Sequence, residues 1–306
     1  MAIAVQGQWE TLSSQFAEVA AHADKFVVAV HGGRRLAGSG ICWRAGIVVT
    51  ASHMLRRDEI EVTFANKSRQ KATLAGRDPG TDVAVLRIDH QQPGAFPQLA
   101  GIGDLRVGHI VLAAGRSTLG DLSASAGIVA RLGVGWQTWR GGKIDALVRP
   151  DVTLYPGQSG SALLDSKSRV LGMNTAVLAR AATITVPTAT IERVVEEILE
   201  HGSIFRPYLG LAMQPVAVPP DLGKKLKIAS DSALMVMQVE PQSPSATAGM
   251  MLGDIILTMN DQPVTGIEQI QGALGSAKRG DSVSLTYARG GELGTLTVKL
   301  ADRPRR

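Results

Sequence analysis

The sequence contains very little cysteine and few aromatic residues. One cysteine, Cys42, occurs in 306 residues, so no internal disulfide can form and a disulfide-stapled scaffold is excluded. Trp, Tyr and Phe together make up 4% of the chain, so the cores must be built from Val, Ile, Leu and Ala. Cys42 lies in the apolar segment Ile41–Trp43 and is interpreted as a small buried hydrophobe.

Long apolar runs and an excess of one charge are also missing. No stretch reaches the roughly 18 apolar residues that span a bilayer. Residues 1–10 lack the basic start and apolar stretch of a signal peptide, so the chain as written is expected in the cytoplasm. The net charge of the chain is +5, and the basic residues are scattered along the sequence. A solvated surface explains them better than nucleic-acid binding, and we expect no nucleic-acid partner.

What is present suits two or three domains rich in short strands. The apolar content is 44% and glycine, at 34 residues, is abundant enough for many tight turns. We predict an N-terminal helical segment over residues 1–25, a β-rich domain over 26–205 and a second domain over 206–303. Residues at helical spacing predict an amphipathic helix that packs on the β-rich domain: Trp9, Leu12, Phe16 and Val19. A second helix, which ends at Gly202, is predicted from Ile191, Val194, Val195 and Ile198.

Three residues in a particular order carry the chemistry. His53 follows a β-branched run, Asp82 opens an apolar run, and Ser159 lies in a Gly-x-Ser-Gly turn. A serine hydroxyl is a poor nucleophile unless an imidazole takes its proton and a carboxylate orients the imidazole. Each motif alone is weak, because a lone histidine is more often structural and an aspartate before an apolar run is usually a turn residue. Their conjunction and order predict a catalytic triad.

These residues resemble the chymotrypsin-type serine proteases, and within them the HtrA/Deg family. The resemblance leaves out only residues 1–25 and the C-terminal tip. The segments that carry it, besides the serine turn, are Ala37–Gly40, Asp78–Leu86, Leu105–Gly108, Ser125–Val129 and Gly172–Ala176. It implies a mostly β, two-barrel chymotrypsin-like domain, and we expect the N-terminal helix to pack on its first barrel. In this domain His53 is the general base, Asp82 orients it and Ser159 attacks. The amides of Gly157 and Ser159 are then expected to form the oxyanion hole.

The sequence departs from the family pattern at two positions beside the nucleophile. Gln158 replaces the usual Asn and is expected to contribute mainly its backbone. Ser161 replaces the second of two glycines, and it would strain the turn by about 1–2 kcal/mol if that position requires a positive φ. Thr153, six residues before the nucleophile, is expected at the base of the primary specificity pocket. Because it is uncharged, a small or medium aliphatic substrate residue is favoured over Lys or Arg.

The region 206–303 resembles an α+β PDZ domain of the HtrA type. Residues Tyr208, Leu209, Gly210 and Leu211 resemble the loop whose amides bind a peptide's terminal carboxylate, although Leu209–Leu211 could also be an ordinary strand. The helix that contains Ile267 and Ile270 is expected to line a groove in which a peptide adds as a strand. The expected partners of this domain are peptide C-termini.

The resulting hypothesis is an ATP-independent serine endopeptidase that acts on unfolded or damaged proteins. No cofactor and no metal is expected, and no nucleotide-binding loop is present. The resemblance implies a homo-oligomer, a trimer in relatives, with Trp9 and Phe16 as possible interface residues, and a periplasmic location if a leader precedes the chain. The alternative is a proteolytically inactive, chaperone-like or PDZ scaffold protein, which only Ser161 favours.

Overall fold

In the computed structural model the chain divides into two compact units, residues 1–204 and residues 205–306. The structure describes residues 2–33, 36–57, 59–88, 95–116, 118–179, 182–218, 220–226, 230–275 and 277–302. The predicted end of the second domain at residue 303 lies outside the described residues. No helix in these ranges is long and apolar enough to cross a membrane.

The first unit begins with a closed six-stranded barrel. Its strands are β1 Val27–His31, β2 Gly38–Arg44, β3 Ile47–Ala51, β4 Ile60–Thr63, β5 Arg69–Asp78 and β6 Val83–Ile88. They pair antiparallel in the order β1-β2-β3-β6-β5-β4. Small β-branched side chains such as Val28, Val30 and Val48 fill its interior with Leu86. The runs of Val and Ile thus form strands that are buried on the barrel side.

A second closed six-stranded barrel completes this unit. Its strands are β7 Ile110–Arg116, β8 Leu122–Gly133, β11 Leu147–Asp151, β12 Ala162–Leu164, β13 Val170–Thr175 and β14 Ile184–Pro187, in the order β11-β14-β13-β12-β7-β8. A short hairpin, β9 Trp136–Gln137 and β10 Lys143–Ile144, lies between β8 and β11. One continuous apolar cluster includes residues of both barrels, such as Val83, Ala114 and Met173. The two barrels therefore share a packed interface.

Helices flank the barrels. The helix α2, Thr188–His201, follows β14, and Gly202 ends it at φ +74° as predicted. The helix α1 spans Ala2–Asp24. Its residues Phe16 and Val19 line a cavity together with Ile110 of β7. The helix contacts β1 of the first barrel as expected, but the expectation that Trp9 packs inward is wrong. Trp9 is 67% exposed, and the apolar face meets chiefly β7 of the second barrel.

The second unit is built on a six-stranded antiparallel sheet with short helices. The strands of its main sheet are β16 Leu211–Ala217, β17 Ser232–Val239, β18 Ile255–Met259, β20 Ser282–Arg289 and β21 Glu292–Lys299, in that order. The short strand β19 Gln262–Pro263 pairs with β18, and β15 Pro207–Tyr208 pairs with β22 Ala301–Asp302. The helices are α3 Pro220–Leu226, α4 Pro244–Ala248 and α5 Ile267–Gly275. Leu234, Ile256 and Leu285 are fully buried at the centre.

Candidate active site and peptide-binding loop

Strand pairing in the first barrel brings His53 and Asp82 together. Ala51 at the end of β3 pairs with Val83 at the start of β6, so the residues just beyond these ends become neighbours. His53 lies in a 3₁₀ turn, Ser52–Met54. Its backbone N–H donates to Asp82 Oδ1 at 2.9 Å, and its Nδ1 lies 2.8 Å from Asp82 Oδ2. The carboxylate thus binds the backbone and the ring of the same residue, which fixes the imidazole with Nδ1–H as donor.

The turn before Asp82 holds this aspartate in an unusual backbone conformation. Asp82 has φ +58°, a left-handed value that aspartate adopts more readily than most residues. The Asp78 carboxylate accepts from the amide of Gly80 at 3.0 Å and from the hydroxyl of Thr81 at 2.9 Å. The Thr138 hydroxyl, from the loop between β9 and β10, donates to the Gly80 carbonyl at 2.8 Å. The hydrogen bonds of Asp78 and the contact from the β9–β10 hairpin therefore both hold the turn that positions Asp82.

Thr175 connects the aspartate to the second barrel. It is the last residue of β13, it is fully buried, and its hydroxyl donates to Asp82 Oδ2 at 2.5 Å. Asp82 is itself 2% exposed, so this donor offsets part of the cost of burying the charge. Sequence reasoning missed Thr175 because nothing local distinguishes it from any threonine at a strand end.

Thr175→Val keeps the shape of the side chain and removes this donor. We expect the free energy of unfolding to fall by about 1.5–3 kcal/mol, the usual worth of a hydrogen bond to a charged group, and kcat to fall because the carboxylate is held less firmly. Chemical denaturation and peptide hydrolysis would measure both. Thr188→Val is the matched control, since the Thr188 hydroxyl donates to the Ala100 carbonyl. It should lose stability and keep kcat, and an unchanged kcat in Thr175→Val would contradict the role of Thr175.

Ser159 lies at the end of a tight turn with left-handed glycines on both sides. The Gln158 amide donates to the Tyr155 carbonyl at 2.9 Å, and Gly157 has φ +89°. Gly160 has φ +94°, and a Cβ there would lie 2.0 Å from the Ser39 carbonyl oxygen. Glycine is therefore required at position 160 by both conformation and space. Ser159 is 8% exposed.

Ser39, in the segment before His53, anchors this turn from the first barrel. Its amide donates to the Ser159 carbonyl at 3.0 Å, and its hydroxyl lies 3.1 Å from the Gly157 carbonyl. The Thr50 hydroxyl donates to the Ser39 carbonyl at 2.6 Å. Ser39 thus binds the carbonyls of both turn residues, Gly157 and Ser159.

Those two amides are the ones predicted to form an oxyanion hole. Within the ranges that the structure describes, neither the N–H of Gly157 nor that of Ser159 donates to another protein group. Neither amide is thus engaged by an acceptor among the described residues, as donors to a bound oxyanion must not be.

The strain considered for Ser161 does not arise. Ser161 is not among the described residues with positive φ, and Gly160 takes the left-handed conformation instead. The Ser161 amide donates to the Gln158 carbonyl at 3.0 Å, and Asn174 Nδ2 donates to the Ser161 hydroxyl at 3.1 Å. The serine is fully buried with its hydroxyl satisfied, so it costs the turn no backbone strain.

Expectations from the sequence also concern Thr153 and Gln158. Thr153 is an exposed residue just after β11, and its amide donates to the Ser125 hydroxyl on β8 at 3.0 Å. The expectation that Gln158 contributes mainly its backbone is wrong. Its side chain is 3% exposed and hydrogen-bonded at both ends, to the Tyr155 amide and to the Ser123 hydroxyl.

The single cysteine, Cys42, is not reactive at neutral pH. Burial raises the pKa of the Cys42 thiol to about 12, so it stays protonated at neutral pH, and only the thiolate is a good nucleophile. The described part of the chain holds no group of three or more His, Cys, Asp or Glu residues that could bind a metal ion.

In the second unit, the predicted peptide-binding loop connects β15 to β16. Gly210 has φ +79°, and a Cβ there would lie 2.1 Å from the Ser243 side chain. The Leu209 carbonyl accepts from the Ser245 amide at 3.0 Å, and the Gly210 carbonyl accepts from the Glu240 amide at 2.8 Å. The loop is thus held through its carbonyl groups. The left-handed conformation of Gly210 shows that this segment is not an ordinary strand.

The edge strand β16 and helix α5 flank this loop. β16 is the first strand of the main sheet, and α5 packs near it. Leu211 opens β16 and is half-buried, as is Ile267 at the start of α5. Ile270 is 2% exposed and packs in the apolar core of the unit, and its contribution to a peptide groove stays a prediction.

Comparison with known proteins gives matches in both units. Residues 38–173 match the trypsin-like peptidase domain, and residues 207–300 match the PDZ domain. A "probable periplasmic serine endoprotease DegP-like" of Pseudomonas putida is 31% identical over 277 residues, covering 87% of this chain and 56% of the relative. "Protease Do-like 1, chloroplastic" of Arabidopsis thaliana is 29% identical over 287 residues, covering 87% and 64%. The chain thus spans little more than half of the Pseudomonas relative.

Solved structures agree over nearly the whole chain. A serine endoprotease from Yersinia pestis is 25% identical with a TM-score of 0.71, covering 94% of this chain and 98% of that one. The HtrA-type protease AlgW with a tripeptide is 26% identical with a TM-score of 0.68, covering 95% and 98%.

The chain is therefore a trypsin-like peptidase domain followed by a PDZ domain, and the predicted fold class is confirmed. Its homologues include DegP-like and HtrA-type proteases, so the resemblance to the HtrA/Deg family is confirmed as well.

Proposed function

We propose that this chain is a serine endopeptidase in which Ser159, His53 and Asp82 form the catalytic triad. The observation that carries the proposal is the double contact of Asp82 with the backbone N–H and the ring of His53. A buried carboxylate that engages Nδ1 leaves Nε2 as the basic nitrogen, which a general base in acyl transfer requires. The test is Ser159-dependent cleavage of an unfolded protein.

The reaction follows from these groups. Ser159 Oγ attacks the scissile carbonyl while His53 Nε2 takes its proton, and the resulting imidazolium is stabilised by Asp82. The amides of Gly157 and Ser159 stabilise the oxyanion, and His53 then gives its proton to the leaving amine. Water, activated by His53, hydrolyses the acyl-enzyme. No step requires a nucleotide or a metal ion.

The proposed substrates are unfolded or damaged proteins, cleaved without ATP. Relatives are named serine endoproteases, which supports cleavage within chains. Thr153 is proposed at the base of the primary pocket, and its uncharged side chain favours a small or medium aliphatic residue there. A catalogue of cleavage sites in casein would test this preference.

The PDZ domain is proposed to bind peptides with a free C-terminal carboxylate and an apolar last side chain. Gly210 and its neighbours Tyr208, Leu209 and Leu211 would supply the carboxylate loop. The edge strand β16 offers main-chain groups for strand addition, with Ile267 beside it. A relative solved with a tripeptide supports a short ligand.

Amidation of the peptide's C-terminus is expected to weaken binding sharply, because it removes the charge that the loop amides would bind. A short free-acid peptide should bind the full chain, carried as Ser159→Ala to prevent cleavage, with a Kd on the order of micromolar. Fluorescence anisotropy with the free-acid and amidated forms of one sequence measures the difference. Equal affinities would mean that this domain recognises something other than a chain end.

Assembly and location are proposed on resemblance. A homo-oligomer, a trimer by resemblance, is proposed for this chain, and light scattering after size-exclusion chromatography would distinguish it from a monomer. Relatives named periplasmic support a periplasmic location, which fractionation of the source cells would test.

The alternative of an inactive, chaperone-like or PDZ scaffold protein has lost its only support. It depended on a strained Ser161, and the described backbone has ordinary conformation there.

A further inference from the structure

The side chain of Gln158 closes the turn that carries the nucleophile. Its Oε1 accepts from the Tyr155 amide at 3.0 Å, while its own backbone amide donates to the Tyr155 carbonyl at 2.9 Å. The four residues 155–158 are therefore joined at their ends by two hydrogen bonds. Gly157, with φ +89°, lies inside this closed turn.

The other end of the same side chain reaches the second barrel. Gln158 Nε2 donates to the Ser123 hydroxyl of β8 at 2.8 Å. Ser125, on the same face of β8, accepts from the Thr153 amide at 3.0 Å. Two residues further, Gly127 leaves no room for a Cβ, which would lie 1.8 Å from the Asp151 carbonyl. One face of β8, with small and hydroxyl side chains, thus supports the segment 151–158.

We propose that Gln158 is a positioning residue for the oxyanion hole and that Ser123 is its anchor, an inference that rests on the proposed function. Gln158 lies between Gly157 and Ser159, whose amides are the proposed donors. A buried N–H without an acceptor is costly, so loss of the Ser123 contact at Gln158 Nε2 favours a rearranged turn in which these donors are less well aimed. Because the donors act mainly on the oxyanion, poorly aimed donors stabilise the transition state less while substrate binding is little affected.

The experiment is a steady-state comparison of Ser123→Ala, Ser123→Thr and Gln158→Leu with the wild-type full chain. The substrate is a quenched fluorogenic peptide that contains a casein site cleaved by the wild-type protein. We expect kcat to fall about tenfold in Ser123→Ala, and about 10²-fold in Gln158→Leu, the lower range for loss of one oxyanion donor. KM should change little, since ground-state binding is untouched.

Rescue and coupling separate positioning from general stability. Ser123→Thr keeps the hydroxyl and should retain kcat. The double variant Ser123→Ala/Gln158→Leu should be no slower than Gln158→Leu alone, because both substitutions break the same contact between residues 123 and 158. Ser68→Ala removes a hydroxyl from an exposed turn and should match the wild type. Unfolding midpoints are measured for all variants, and Ser123→Ala keeps the test valid if Gln158→Leu fails to fold.

The outcomes distinguish two failures. A wild-type kcat in Ser123→Ala, or a raised KM with unchanged kcat, would overturn this inference alone. An equal loss in Ser123→Thr and Ser123→Ala would do the same. If the wild-type chain shows no Ser159-dependent hydrolysis, the proposed function falls and this inference with it.

Discussion

Ser159→Ala is expected to abolish casein hydrolysis. The substitution removes the only hydroxyl proposed to attack the scissile carbonyl, and loss of a triad nucleophile typically lowers kcat by about 10⁶-fold. The melting temperature should stay almost unchanged, because the Ser159 contact with Ser39 uses the backbone carbonyl, which alanine retains. Gel-based casein degradation and differential scanning calorimetry measure the two quantities.

The matched control for this substitution is Ser166→Ala. Ser166 is an exposed serine just after β12, the strand that follows the nucleophile, so the same chemical change is made outside the proposed machinery. It should degrade casein at the wild-type rate. Persistent proteolysis in a cleanly purified Ser159→Ala sample would remove the mechanism as a whole.

Asp82→Asn is expected to reduce kcat by about 10⁴-fold with little change in fold. The amide can mimic the shape of the carboxylate but not its charge, so it neither fixes the required His53 tautomer nor stabilises the imidazolium. Asparagine tolerates the left-handed conformation of this position, at φ +58°, as well as aspartate does. A loss of activity can therefore be attributed to the lost charge rather than to backbone strain.

A control with the same backbone conformation is available in the second unit. Asp261 is exposed and has φ +62°, so Asp261→Asn repeats the substitution in the same region of φ away from the triad. It should hydrolyse peptides at the wild-type rate. If Asp82→Asn is as active as Asp261→Asn, the contact between Asp82 and His53 has no part in catalysis.

The features that could be predicted from the sequence are those marked by a short motif of neighbouring residues. The order of His53, Asp82 and Ser159 and the β-branched runs beside them carried the resemblance to the chymotrypsin-type proteases. That resemblance implied two barrels, and this fold class is confirmed. The residues that sequence reasoning missed act across the fold. Thr175 reaches Asp82 from the other barrel, and Ser39 holds the nucleophile turn from a strand 120 positions earlier in the chain (159 − 39). No local pattern encodes such contacts.

The wrong expectations have a common physical cause. Helical spacing identified the apolar face of α1, yet spacing does not say which barrel that face meets or that Trp9 lies beyond the contact. At Gln158, the family pattern concerned the backbone, while the longer glutamine side chain forms two hydrogen bonds of its own. In each case a neighbour distant in sequence decides the outcome.

The most direct test of the catalytic assignment is labelling of the full chain by a fluorophosphonate, followed by peptide mapping. The reagent reacts with a serine only where a base and an oxyanion hole activate it. We expect one adduct, on Ser159, that is absent in Ser159→Ala and strongly reduced in Asp82→Asn. An unlabelled wild-type protein, or an adduct on another serine, would contradict it.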